Sequence, residues 1–176
     1  MSEFVSDLKK IKERARAHME QGAVTGNYKA DIGAVLKVLN DVLATEIVCT
    51  LRYRRHYYTA AGLNSEGAKA EFLQHANDEQ QHVDWVATRI TQLNGEPNFN
   101  PEGLSSRAHS EYAEGKDLIS MIREDLYAER IAIESYSAIV RWLGNDDPTS
   151  RKLIEDILKV EEDHAEDMKT LLEKMH

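Results

Sequence analysis

Two copies of one short spacing carry the chemistry of this chain. Glu79-Gln80-Gln81-His82 and Glu161-Glu162-Asp163-His164 each place a glutamate three residues before a histidine. On an α-helix, positions i and i+3 share a face, so each carboxylate and its imidazole can aim at one point. An oxygen and a nitrogen donor converging there form a hard-to-borderline ligand pair suited to iron, manganese or zinc. One Glu-x-x-His is unremarkable in a chain with 31 acidic residues; a pair with matched partners is not.

The partners are matched. Glu46 lies 33 residues before Glu79, and Glu129 lies 32 residues before Glu161. Tyr53 follows Glu46 by seven residues, as Tyr136 follows Glu129. Seven residues are two helical turns, so each tyrosine shares a face with its glutamate. Leu43-Ala44-Thr45-Glu46-Ile47 also parallels Leu126-Tyr127-Ala128-Glu129-Arg130. The chain reads as a duplicated helical hairpin in which each half supplies one Glu from its first helix and a Glu-x-x-His from its second. Brought together in a core, these give four carboxylates and two imidazoles. That set suffices for two divalent ions, with two glutamates bridging and one Glu and one His terminal at each ion, and four carboxylates offset the charge of both.

The elements that must position these residues are helices throughout. No sustained period-2 stretch argues for a strand. Phe4, Leu8, Ile11 and Ala15 recur at helical spacing within a helix predicted from Ser2 to Gln21, with Lys9, Lys10, Lys12, Arg14 and Arg16 around them. Gly22 to Lys29 reads as a linker. Asp31 is placed to cap a helix over 32–61, and Ser65 one over 65–93, closed by Gly95-Glu96-Pro97. A fourth helix is expected over 112–143, with Gly115 a weak spot in its first turn, and a fifth from Pro148 to about Met175 behind the cap Asp147. The four long helices, of about 28 to 32 residues, reach about 42–48 Å at about 1.5 Å per residue. Short loops within each hairpin and a long connection between Gly95 and Glu111 predict an all-α four-helix bundle. It consists of two antiparallel hairpins joined by a crossover, with an extra N-terminal helix. The division expected is an N-terminal helix and linker over 1–30 and the bundle over 31–176.

Composition narrows the function. A net charge of -9 argues against sequence-independent nucleic-acid binding by the domain as a whole, while favouring attraction of cations. Cys49 is the only cysteine, so neither an intrachain disulfide nor a cysteine-ligated iron–sulfur or rubredoxin-type centre is available. It reads as a small buried hydrophobe. The N-terminus lacks a signal peptide pattern and no stretch is apolar enough to span a bilayer, so a cytoplasmic location with no membrane association is expected. Glu162, Asp163, Glu166 and Asp167 read as a solvated face, and His75 as a group beside the centre or at the surface rather than a seventh ligand.

On these residues the chain, from about 31 to 175, resembles the ferritin-like superfamily, closest to bacterioferritin and to Dps-like mini-ferritins with a bacterioferritin-type centre. The resemblance implies that Glu46 and Glu129 are terminal ligands, Glu79 and Glu161 bridges, and His82 and His164 the nitrogen ligands of two irons per subunit. Tyr53 and Tyr136 would orient carboxylates. It implies ferroxidase activity: Fe(II) oxidised by O2 or H2O2, with ferric mineral stored in a homo-oligomeric shell. Bacterioferritin haem is usually held by a methionine directly after the bridging Glu of the second helix; Gln80 stands there, so no haem is expected. Twelve residues after His164 are too few for the short extra helix of 24-subunit shells, so a dodecamer is preferred over a 24-mer. Dps-like relatives often carry a cysteine pair near the site, which this chain lacks. The alternatives are a Dps-type DNA-protecting shell, for which the basic N-terminal stretch is the only feature, and a rubrerythrin-like peroxidase, which the absent four-cysteine module weakens.

Overall fold

In a computed structural model, residues 8–62 and 65–175 are described, and among them every regular element is helical. The order is α1 (Leu8–Arg16), a single 3-10 turn (Met19–Gln21), α2 (Ile32–Thr59), α3 (Ser65–Gln92), a one-turn α4 (Leu104–Arg107), α5 (Leu118–Leu143) and α6 (Pro148–Glu173). The helices α2 and α3 form one hairpin, α5 and α6 the other, and the two pack as a four-helix bundle. This is the predicted all-α architecture.

The helix starts follow local chemistry. The Asp31 side chain accepts from the Ala34 N–H, and Asp147 accepts from the Ser150 N–H with Pro148 in the first turn. Both satisfy N–H groups that a helix leaves orphaned. The start of α5 differs from expectation. Residues 112–117 are not helical, because Asp117 and Ser120 form a reciprocal capping box that sets the start at Leu118. Gly115 lies outside the helix at φ +63°, where a Cβ would also strike Met121. At the end of α3, Gly95 donates its N–H back to the Ile90 carbonyl at 2.9 Å, and a side chain on it would collide with Leu36.

The N-terminal helix also departs from the reading. Phe4 lies outside the described residues, and α1 buries none of its side chains, with Leu8 57% exposed. The helix stops at Arg16; His18 takes a left-handed conformation, φ 54°, and redirects the chain. The linker after it is anchored instead: Val24 is buried and the Tyr28 hydroxyl donates to Asp147 Oδ2 at 2.7 Å.

The crossover runs along α2 in the same direction as that helix. Successive contacts show it: Asn98 N–H to Asn40 Oδ1 at 2.8 Å, His109 N–H to Thr45 Oγ1 at 2.9 Å, and the Ala113 and Glu114 carbonyls to His56. A connection that travels the length of α2 returns the chain to the far end, so α5 runs antiparallel to α2. Two apolar clusters fill the bundle. One, around Leu39, Leu43, Val86, Ile90, Ile154 and Ile157, lies toward the α2 start; the other, around Phe72, Ala76, Ile122 and Met168, toward its end. Each buried Leu, Val, Ile, Phe or Met side chain contributes about 1.5–3 kcal/mol by leaving water. Between the two clusters the core is polar.

Candidate metal centre

Each long helix delivers a carboxylate to that polar layer: Glu46 from α2, Glu79 from α3, Glu129 from α5 and Glu161 from α6. His82 and His164 join from α3 and α6, one turn beyond their glutamates. All six are at most 2% exposed. The structure brings these six residues together.

They form two ligand groups. Glu46, Glu79, His82 and Glu161 present donor atoms all within 4.8 Å of one another, and so do Glu79, Glu129, Glu161 and His164. Glu79 and Glu161 belong to both groups. His82 Nδ1 lies 3.1 Å from Glu46 Oε2, 3.3 Å from Glu79 Oε2 and 3.2 Å from Glu161 Oε1. His164 Nδ1 lies 3.3 Å from Glu161 Oε2 and 3.6 Å from Glu79 Oε1.

The tyrosines join the hairpins crosswise. The Tyr53 hydroxyl donates to Glu129 Oε1 and the Tyr136 hydroxyl to Glu46 Oε1, both in close contacts. Seven residues forward along α2, from Glu46 to Tyr53, match seven backward along α5, from Tyr136 to Glu129. Antiparallel packing therefore gives each tyrosine to the glutamate of the other hairpin, not to its own.

Burial governs the electrostatics. The Glu46 carboxyl is pushed up to about 8, by loss of water and then by the Glu79 carboxylate. Glu129 rises well above the carboxylate range, by burial and then by Glu161 and Glu79. Burial also pushes Glu79 and Glu161 up, but Glu46 and the two nearby imidazoles outweigh it at Glu79, and the two imidazoles do so at Glu161, holding both below the usual value. Burial opposes charge on His164, yet Glu161 and Glu79 raise it to about 11, and His82 is raised by Glu161, Glu46 and Glu79. Two neutral carboxyls, two carboxylates and two imidazoliums then sum to zero, which is the requirement for so many ionisable groups without water.

The donor set fits a pair of metal ions. Glu79 Oε1, Glu129 Oε2, both oxygens of Glu161 and His164 Nδ1 are buried with no hydrogen-bond partner, which a self-contained polar cluster would not leave. The ligands are oxygen and nitrogen only, as suits iron, manganese or zinc. Cys49 is buried as expected and faces elsewhere, with Sγ 3.5 Å from Arg52 Nη2 and 3.6 Å from Ser110 Oγ.

Three residues beside the centre were not singled out from sequence. Arg52, His56 and Asp125 are wholly buried and joined: Arg52 Nε to Asp125 Oδ1 at 2.8 Å, and Asp125 Oδ2 to His56 Nδ1 at 2.8 Å. The signal was available, since Asp125 precedes Glu129 by four residues and so shares its inward face. His75 is fully buried and stacks on His164, ring centroids 3.8 Å apart. Asp167, assigned to a solvated face, instead turns toward His75 at 3.4 Å; Glu162, Asp163 and Glu166 are exposed as expected.

Residues 36–176 match the family model described as a ferritin-like domain. The chain belongs to the ferritin-like family. It is 26% identical to a bacterioferritin of Desulfovibrio desulfuricans over 142 residues, covering 80% of this chain and 75% of that one. It is 29% identical to bacterioferritin BfrA of Mycobacterium tuberculosis over 142 residues, 80% and 85% of the two chains. Among solved structures it resembles the dodecameric thioferritin of Bacteroides fragilis, a bacterioferritin-related protein, at TM-score 0.80 and 27% identity over 84% of this chain and 89% of that one. Dps from Thermosynechococcus elongatus shares the fold at TM-score 0.76 and 19% identity, covering 80% and 90%. No helix among the described residues is long and apolar enough to cross a membrane.

Proposed function

We propose that this chain is an iron-storage and detoxification protein whose centre is a di-iron ferroxidase. The observation that carries the reading is the overlap of the two ligand groups, because two carboxylates common to both groups are what bridging requires. In this reading Glu79 and Glu161 bridge, Glu46 and Glu129 are terminal, and His82 and His164 complete the set. Two Fe(II) held there supply one electron each to O2 or H2O2.

The protein's part is to position and to exclude water. Tyr53 occupies Glu129 Oε1 and leaves Oε2, which has no other partner, to the metal; Tyr136 does the same for Glu46, leaving Oε2 facing His82. Tying one oxygen fixes the other, a known lever on metal affinity. Loading moves protons: Glu46 and Glu129 must give up theirs, and the imidazoles must become neutral to ligate. Four carboxylates then balance two dications.

Aerobic oxidation of Fe(II) by metal-stripped protein tests the function. A fast absorbance rise saturating near two irons per chain, followed by slower uptake into soluble mineral, is expected; a rate equal to the protein-free control with both oxidants overturns it. The likeness to the dodecameric thioferritin supports a twelve-subunit shell, which light scattering or ultracentrifugation checks. Gln80 in place of the usual methionine supports absence of haem binding. Added haem should give no stoichiometric Soret band. A second reading, DNA binding, is favoured by one observation: no residue of α1 is buried, and the helix carries Lys9, Lys12, Arg14 and Arg16. Gel shifts across a salt series check it, since phosphate contacts weaken steeply with salt.

A further inference from the structure

The two halves of the centre differ just outside the ligands. Moving along the chain by the separation of His82 and His164 carries Glu71 and His75 onto Leu153 and Ile157, and Trp85 onto Asp167. At the His82 end the flanking residues are therefore apolar: Trp85 packs its indole 5.6 Å from the His82 ring, and Ile157 is buried in the core. At the His164 end the same positions are Glu71, His75 and Asp167. Duplication of the hairpin does not produce this trio, because its counterpart has no polar atom but the indole N–H.

The trio is arranged as ligands. One donor atom each of Glu71, His75 and Asp167 lies within 4.8 Å of the others. His75 Nε2 faces Asp167 Oδ2 at 3.4 Å and Glu71 Oε2 at 3.9 Å. The first is at the long end of hydrogen-bond reach and the second is beyond it. They match donors at about 2.1 Å from one ion, which sit about 3.0–4.2 Å apart. The His75 side chain is fully buried and its ring is stacked on His164, which holds Nε2 facing the two carboxylates. The Glu71 and Asp167 side chains are 36% and 48% exposed, so an ion can reach the trio from solvent.

We propose that Glu71, His75 and Asp167 form a third, mononuclear metal site that takes a divalent first-row ion at the surface mouth of the His164 half of the centre. Glu71 and His75 are one turn apart on α3 and supply one edge; Asp167, one turn beyond His164 on α6, closes it, and water completes the coordination. The trio stands one ring thickness from His164, so an ion bound there is a neighbour of the di-metal centre rather than part of it. The site stands on its own donors and does not rest on the di-iron reading.

The test is a Co(II) titration of the metal-stripped full-length protein, read by absorbance and by metal analysis, against the E71Q/D167N variant. That variant leaves His75 and His164 themselves unaltered, and circular dichroism checks its helices. Three ions per chain in the wild type and two in the variant are expected. Two in both, or three in both, overturns the third site. One in the wild type and none in the variant upholds this site while overturning the di-metal reading. Anomalous diffraction at the cobalt edge on wild-type crystals supplies a check that needs no variant: density bounded by Glu71, His75 and Asp167 is expected, and its absence at full loading overturns the proposal.

Discussion

Two buried polar clusters sit a turn apart in this bundle, and they differ in one respect. In the Arg52–Asp125–His56 cluster every charge has its answer: both Asp125 oxygens are taken, and His56 Nε2 lies 3.2 and 3.1 Å from the Ala113 and Glu114 carbonyls. Arg52 also reaches the Glu111 carbonyl at 3.4 Å. In the six-residue centre, four carboxylate oxygens and an imidazole nitrogen lack hydrogen-bond partners. A polar cluster that satisfies itself holds the fold together; one that does not is waiting for a ligand. Here the first fastens the end of the crossover to both hairpins, and the second is the proposed seat of the metals.

Mutations should separate the two. Glu79→Ala removes a group common to both ligand sets, so two-ion uptake and fast Fe(II) oxidation should fall to the protein-free level while the helical dichroism is kept. Wild-type rates in that variant would sink the bridging role. Asp125→Ala should do the opposite, leaving the six-residue centre's two-ion uptake unchanged but costing about 3–5 kcal/mol in denaturant unfolding, since it strands a buried guanidinium. An unchanged unfolding midpoint would show that this cluster is dispensable. Tyr53→Phe frees Glu129 Oε1, and metal affinity or oxidation rate should drop about 10- to 100-fold, with stability little changed. A variant with intact affinity would assign Tyr53 to packing alone.

The smallest effect is on pH dependence. Glu46 and His164 both have folded values raised, to about 8 from 4.5 and to about 11 from 6.5. A raised group stabilises fully below its unfolded value, and that contribution is lost as pH rises through the folded one. His75, lowered to about 4 by burial and then by His164, acts in the opposite sense, but only below 6.5. Metal-stripped protein should therefore lose stability between pH 6.5 and 8, as denaturant midpoints at those pH values would report. With divalent metal present the slope should flatten or reverse, because ligation favours the deprotonated carboxylates.

Much of this was legible in the sequence because helices make spacing into geometry. Glu-x-x-His twice, each with a glutamate about one hairpin earlier, names the six candidate ligands without knowledge of any contact. Asp31 and Asp147 announce their helices by chemistry confined to four residues. The start of α5 was less legible: the apolar pattern extends back to Tyr112, and only the competition won by the Asp117–Ser120 box and Gly115 ends it at Leu118. The side of α1 that looked ready to pack finds no core among the described residues.

What the sequence by itself determined is therefore the helix set, the duplication and the identity of the six residues that meet in the polar layer, all of which depend on separations within one helix or one hairpin. The tertiary structure alone decided who meets whom between hairpins. It gave Tyr53 to Glu129 and Tyr136 to Glu46, made Arg52, His56 and Asp125 a closed cluster, and turned Asp167 onto His75. Those pairings depend on the antiparallel register of α2 against α5 and of α3 against α6. That register is set by how two apolar clusters and a long crossover fit together, a property of the packed whole that no local spacing encodes.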